Sequence, residues 1–384
     1  MNTRPYAAAK RTLSIVDKLM EVNWGLVLLI TIIACAGFAM LYSVAGGHWL
    51  WALPQIEKFI IGFFILVAVA SIDIRVWMSL AYPAYALALL LLIVVDVAGH
   101  SGLGAQRWLM LPGGMELQPS ELMKISLVLA LARFLHGKPV EEVSKPLPLA
   151  IAMGMIAVPA LFVVLEPNLG TTLIIVADGV SLLFLAGLSW YWIAPALGGI
   201  AVAVPMAWRF VLHDYQKARV MTFLNPESDA LGAGWNITQA KIAIGSGGLS
   251  GKGFLGGTQS RLNFLPEKQT DFIFTNFGEE FGFVGSVALL ILFAVVIGYG
   301  IQIAMSARSQ FARLLAMGIT LNFFFYIMIN GLMVMGLIPV VGIPMPLLSY
   351  GGTAMLTVMF GFGLLMSCHV HRQVEIPRHS GGII

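Results

Sequence analysis

The 384-residue chain reads as an all-α polytopic membrane protein, with ten transmembrane helices and a large extracytoplasmic loop between the seventh and eighth. Three observations predict this. Hydrophobic residues make up 59% and charged residues 11%, against roughly 25% charged in ordinary soluble domains. The mean hydropathy of +0.88 is spread over the whole chain, so one signal anchor does not account for it. Apolar runs of about 20 residues, the length that crosses the hydrocarbon, recur from end to end.

The first run, 24–44, follows Arg4, Lys10, Arg11 and Lys18. It is too long for a signal-peptide core and lacks a cleavage site, so it predicts a span. The others fall at 55–72, 76–97, 119–136, 147–165, 168–187, 190–212, 272–304, 312–335 and 346–368. Pro119 opens the fourth, where its missing N–H does no harm. The eighth and ninth patterns are long enough to need tilt or extra turns. The expected organisation is an N-terminal segment 1–23, one transmembrane domain 24–368, and a short solvated tail 369–384.

Short connections on one side carry Arg75, Arg133, Lys138, Lys145, Arg308, Arg313, Arg372 and Arg378, along with the basic N-terminus. The other side offers Lys58 and Arg107, with Lys124 just inside a helix. Lys and Arg concentrate in cytoplasmic connections, so both termini are expected inside and the loop 213–271 outside. That loop is Gly-rich and polar; its apolar run 237–244 fits a helix on the interface or packed against the bundle. A net charge of +3 without a basic stripe argues against a nucleic-acid partner. Cys35 and Cys368 lie in the first and last spans and read as core residues, not a disulfide or metal pair.

Ionisable residues in spans are costly unless paired or solvated, which makes each a functional candidate. Asp271 stands where the long loop gives way to the eighth span, so its carboxylate can meet water while held on a rigid helix. In Gln118-Pro119-Ser120-Glu121-Leu122-Met123-Lys124, the acid and the base are three apart and share a helix face. They form either a structural pair or one that positions a charged group. Arg107 precedes that helix; a guanidinium grips phosphate oxygens in bidentate fashion, whether of a substrate or of membrane lipids. Glu279 lies within about 80° of Asp271 around the helix and is expected to line the same cavity, with Glu280 on the opposite side. In Glu166-Pro167-Asn168 a carboxylate and an amide sit at a tight turn; turn chemistry is one account of Pro167 and Asn168, and a functional turn is the other. Asp178 has no sequence-local partner. The glycine cluster 245–253 fails as a P-loop, because Ser246 replaces the first Gly and Gly253 the Ser or Thr that binds magnesium. It reads instead as a flexible loop near a substrate or membrane surface.

In this order, segments 104–108, 118–124, 166–171, 214–257, 266–274 and 339–352 resemble those of the SEDS (RodA/FtsW) family over nearly the whole chain. His213-Asp214-Tyr215-Gln216, Asn225-Pro226-Glu227-Ser228-Asp229 and Gly256-Gly257-Thr258-Gln259-Ser260 resemble its elongation branch. The resemblance implies a peptidoglycan glycosyltransferase of the bacterial inner (cytoplasmic) membrane. Such an enzyme polymerises lipid II at the outer face onto an undecaprenyl-pyrophosphate-linked glycan strand. It implies a class B penicillin-binding transpeptidase as partner, with other elongation-complex proteins. The family's catalytic aspartate falls on Asp271, its loop arginine on Arg107 and its helix-four ion pair on Glu121 and Lys124. Gln118, Ser120, Lys268 and Glu279 are expected beside them as substrate-binding residues. No organic cofactor is implied; Asp271 is either a general base or a ligand to a divalent cation, Mg²⁺ or Mn²⁺. Two departures from the family pattern are visible: Gln-Pro-Asp-Leu-Gly becomes Glu166-Pro167-Asn168-Leu169-Gly170, and Gln269 replaces a common histidine. A lipid II flippase and a non-catalytic scaffold of the wall-synthesis complex remain rival readings.

Overall fold

The computed structural model describes residues 14–102, 105–111, 115–166, 168–210, 217, 221–223, 233–262, 264–265 and 267–377. Arg4, Lys10, Arg11, Gly104, Pro167, Pro266 and Arg378 lie outside them, as do the motifs at 213–216 and 225–229.

The described chain is mostly helical. A short α1 (Ile15–Glu21) leads into α2 (Trp24–Val44), α3 (Ala52–Ser71) and α4 (Ile74–Ala98). Then come α5 (Pro119–His136), the short α6 (Val140–Val143), α7 (Pro146–Leu165), α8 (Leu169–Leu185) and α9 (Ile193–Phe210). After the loop follow α10 (Ala233–Ser246), α11 (Thr258–Arg261), α12 (Ile273–Ser306), α13 (Gln310–Val334) and α14 (Gly352–Val370). Polar caps fix many starts. Asn23, Asp73, Asn168 and Ser309 each accept a first-turn N–H of α2, α4, α8 and α13, satisfying donors that have no intrahelical partner. Pro119 and Pro146 open α5 and α7.

Seven helices among the described residues are long and apolar enough to cross a membrane: α2, α3, α4, α7, α12, α13 and α14. Three expected spans fall short for separate reasons. Helix α5 carries Glu121, Lys124 and Arg133. Helix α8 has 17 residues, and α9 has 18 where the expected span covers 190–212. All three nevertheless occupy the predicted positions. Large apolar side chains such as Phe64, Leu87, Leu161 and Met305 face outward, as lipid contact demands.

The all-α expectation needs one correction. Between α4 and α5 the chain forms an antiparallel sheet, β1 (His100–Gly102), β2 (Ala105–Leu111) and β3 (Met115–Leu117). The segment is too short for a helix to span, and it satisfies its own backbone groups by folding back on itself.

Helix α5 is the axis of the bundle and touches α4, α7, α8, α13 and α14. Its burial on nearly every side explains why it tolerates charges that a lipid-facing helix does not. Helices α3 and α14 approach closely at small residues. A methyl group on Gly363 would come within 2.7 Å of Val69, and one on Gly62 within 2.8 Å of Met359. Such small-residue contacts let apolar helices associate where the hydrophobic drive is absent.

Helix α12 is broken at Gly282, whose φ of 65° and ψ of −162° are non-helical. The glycine-rich cluster fills the break. The Lys252 and Gly253 amides donate to the carbonyls of Glu279 and Glu280, and the Phe283 and Val284 amides donate to Gly248 and Leu249. The cluster is therefore a packed clasp, not the loose loop its composition suggests. Gly251 has φ +78°, and a Cβ there would lie 2.1 Å from the Glu280 carbonyl oxygen. Gly251→Ala should cost about 1–3 kcal/mol from backbone strain, read as a lower unfolding midpoint in detergent. Gly245→Ala, in open space on α10, serves as the control and should hold or raise the midpoint.

Candidate active site

Loops and helix ends on one face of the bundle converge around Asp271. The residue is half-buried in the turn before α12. Its main chain is fixed from several sides. Asn330 of α13 donates its side-chain amide both to the Asp271 carbonyl at 2.9 Å and to the Ile343 carbonyl at 2.6 Å. Ser349 donates to Thr270 O at 2.6 Å, the Tyr350 amide donates to Gln269 O, and Asn276 donates to Lys268 O. Gln55 of α3 holds the Ser349–Gly351 stretch through both ends of its amide. Glu267 adopts φ 53° and Leu347 φ 66°. Left-handed backbone is uncommon for residues other than Gly, and strain of this kind concentrates at functional turns.

The Asp271 carboxylate faces the 341–343 loop; a Cβ on Gly342 would lie 3.5 Å from Oδ2. That loop in turn abuts the start of α8, where a Cβ on Gly170 would lie 2.8 Å from Val341 O. The turn before α8 carries Glu166, whose carbonyl accepts the Arg107 Nε–H at 3.1 Å. Arg107 on β2 and Asp271 are thus linked by contacts through the Glu166 turn and the 341–343 loop. Lys268 lies 6.0 Å from the Trp51 ring centroid, and its partial burial holds the ammonium below the usual lysine range. An incoming anion would offset that cost. Lys58 stacks on the Tyr350 ring at 4.6 Å, adding a cation near this face that the sequence reading had not placed in the site.

The ion pair lies deeper. Lys124 Nζ is 2.6 Å from Glu121 Oε1, and both are buried. Tyr326 donates to Glu121 Oε2 at 2.5 Å and also touches Lys124. One turn further along α13, Asn322 donates to Asp178 Oδ2 at 2.6 Å, so Asp178 finds its partner across the bundle. Asn322, Tyr326 and Asn330 are spaced by four and form a polar stripe on α13. Each step is roughly 6 Å along the axis, so the ion pair sits about one turn below the Asp271 platform. Tyr326 and Asn330, on the same helix, link the pair to that platform. Ser120 is buried beside it, with its hydroxyl unpartnered among the described residues, and Gln118 is half-buried at the start of α5.

Glu279 departs from expectation. It is fully buried and turned into the clasp, accepting from Lys252 Nζ at 2.7 Å and from the Thr258 amide and hydroxyl. Asp271 lies in the turn before α12 begins, so ideal helical angles do not relate it to Glu279, which the clasp covers instead. Glu280 accepts from Ser43 of α2, as its opposite direction suggested.

The residues sequence reasoning missed are Asn330, Tyr326, Asn322, Gln55 and Lys58. The i, i+4, i+8 spacing of the first three was the available signal. No three of His, Cys, Asp and Glu converge as a metal set among the described residues. A single carboxylate holds Mg²⁺ or Mn²⁺ only in company with water and substrate phosphate oxygens, so Asp271 fits such an ion only as a shared ligand.

A polytopic helical bundle that gathers an acid and several cations among the loops of one face has the form of a membrane-embedded enzyme. Comparison with known proteins makes this specific. The family model described as "Cell cycle protein" (FtsW, RodA, SpoVE) matches residues 17–374, and the chain belongs to that family, the SEDS family. It is 46% identical over 322 residues to "Peptidoglycan glycosyltransferase MrdB" of Escherichia coli K12, covering 83% of this chain and 86% of that protein. It is 31% identical to stage V sporulation protein E of Bacillus subtilis, covering 89% and 95%. A solved chain from a study of polymerization and crosslinking by a peptidoglycan synthase complex superposes with TM-score 0.81 at 30% identity, covering 91% and 98%. The rod shape determining protein RodA of Thermus thermophilus gives 0.69 at 27%, covering 91% and 97%.

Proposed function

We propose that this chain is the peptidoglycan glycosyltransferase of cell elongation, polymerising lipid II at the outer face of the bacterial inner membrane. The observation that carries the reading is the Asp271 platform: a carboxylate on a main chain pinned by Asn330, Ser349 and Tyr350, linked to Arg107 through the Glu166 turn and the 341–343 loop.

The acceptor is the GlcNAc 4-hydroxyl of one lipid II, and the donor is the growing strand on undecaprenyl pyrophosphate. Asp271 takes the hydroxyl proton as the oxygen attacks the anomeric carbon of the donor MurNAc. The glycosidic bond forms with inversion, the bond to pyrophosphate breaks, and Arg107 and Lys268 meet the charge that builds on its oxygens. Lys124, paired with Glu121 and Tyr326, holds the platform from below. A divalent cation, where bound, would add Lewis-acid stabilisation of the leaving pyrophosphate.

Ten spans with both termini cytoplasmic are the topology that fits. Trp51, Arg107, Glu166 and Gly342, from the connections after α2, α4, α7 and α13, lie on the Asp271 side through their described contacts, which supports strict alternation of α2–α5, α7–α9 and α12–α14. The loop 213–271 then lies outside the cell. A class B penicillin-binding transpeptidase is the expected partner, because glycan strands need crosslinking, with other elongation-complex proteins around the pair.

Reconstituted protein with labelled lipid II tests this against the rivals. Glycan polymer supports the proposal; lipid II translocation without polymer indicates a flippase, whose Pro-interrupted helices at Pro159 and Pro205 are the feature in its favour. Neither activity leaves a scaffold. Arg107→Ala should raise the KM for lipid II about tenfold or more, the loss expected when a charge-assisted phosphate contact is removed, and undiminished turnover at low substrate would remove the clamp role.

A further inference from the structure

Glu166 carries a carboxyl that the mechanism above does not use. It ends α7, is only 3% exposed, and neither carboxyl oxygen has a hydrogen-bond partner among the described residues. Buried polar groups are nearly always paired, so an orphaned one marks a missing ligand, water or ion. Its surroundings narrow the choice. Arg107 donates to its carbonyl and lies close enough to act on the carboxyl, and the other charge it senses is Asp96 near the end of α4. The turn runs through Asn168 and Gly170 to the 341–343 loop that touches Asp271.

We propose that Glu166 is a further substrate-binding group, whose carboxyl donates a hydrogen bond to a phosphate oxygen of the lipid pyrophosphate that Arg107 also attracts. This rests on the reading under Proposed function and assigns its phosphate subsite a second member. The carboxyl suits the task. Burial, opposed by Arg107 and reinforced by Asp96, pushes it up to about 8, so near neutrality it is an O–H donor and not a second anion facing a phosphate. Above that value it ionises and repels the same ligand.

The test is a binding titration of lipid II against the full-length protein in nanodiscs between pH 7 and 9, with polymer formation followed in parallel. Lipid II's pyrophosphate is a diester and does not titrate in this range. The native protein should lose about tenfold in affinity over those two pH units, following the neutral fraction of one carboxyl. Glu166→Gln, which keeps a neutral donor, should bind with little pH dependence and about tenfold tighter than the native protein at pH 9. Equal pH profiles for the two proteins, or a native profile flat across the range, overturn the proposal. Should Glu166→Gln fail to fold, infrared spectroscopy of the native protein decides. A protonated-carboxyl C=O band lost between pH 7 and 9 and shifted by lipid II supports the assignment, and no ligand-sensitive band overturns it. If native protein binds lipid II but makes no polymer at any pH, the glycosyltransferase reading fails while the binding titration still reports on Glu166.

Discussion

Asp271→Asn should lower glycan-strand synthesis by about 10² to 10⁴-fold, the usual contribution of a general base, while the protein stays folded. Both halves follow from how the residue is held. Its anchor is the main-chain carbonyl, which accepts from Asn330, so an isosteric side chain leaves the turn in place. What is lost is the capacity to take a proton from a sugar hydroxyl of high pKa. The variant's KM should change little if the carboxylate acts only on the proton. An altered Mg²⁺ or Mn²⁺ dependence would instead indicate that it shares a metal with the pyrophosphate. Strand synthesis at the native rate in a purified assay would falsify the catalytic role.

The second large effect lies below the platform. Lys124→Met should destabilise the protein by about 3–5 kcal/mol, because it leaves Glu121 buried without its countercharge. Tyr326 still donates to Glu121, which favours the lower end of that range. The double variant Glu121→Gln with Lys124→Met removes both charges and should recover most of the loss, since apolar or neutral replacements of a buried pair are often close to neutral. Unfolding midpoints in detergent measure this directly. If the double variant is as stable as native protein yet polymerises lipid II poorly, the pair positions the Asp271 turn. If it is fully active, the pair serves stability alone.

Hydropathy made the helices legible, because an unbroken stretch of about 20 apolar residues matches the thickness of the hydrocarbon and little else in a folded chain. Positions of α5, α8 and α9 were legible too, although each is short or polar for a span. The sheet at 100–117 was not, because three short strands carry too little period to stand out between two helices. In the site, Asp271, Arg107, Glu121 and Lys124 were visible because charges in apolar chain are conspicuous. Asn322, Tyr326 and Asn330 passed unnoticed because neutral polar residues in a span are common, and only their partners on α5, α8 and the 343 loop reveal the stripe. Glu279 misled because angular reasoning assumes one helix running through both residues, and Asp271 lies in the turn before α12 begins.

The clasp over the α12 break at Gly282 has a consequence for biogenesis. Residues 247–253 are synthesised before α12, so the glycines that fit its backbone have nothing to dock on until the later segment inserts. Two separate lengths of nascent chain must then meet edge to edge, and Lys252 must find Glu279. Stalled ribosomes carrying the chain to just short of α12 should leave this segment open to protease, and extension through α13 should shut it.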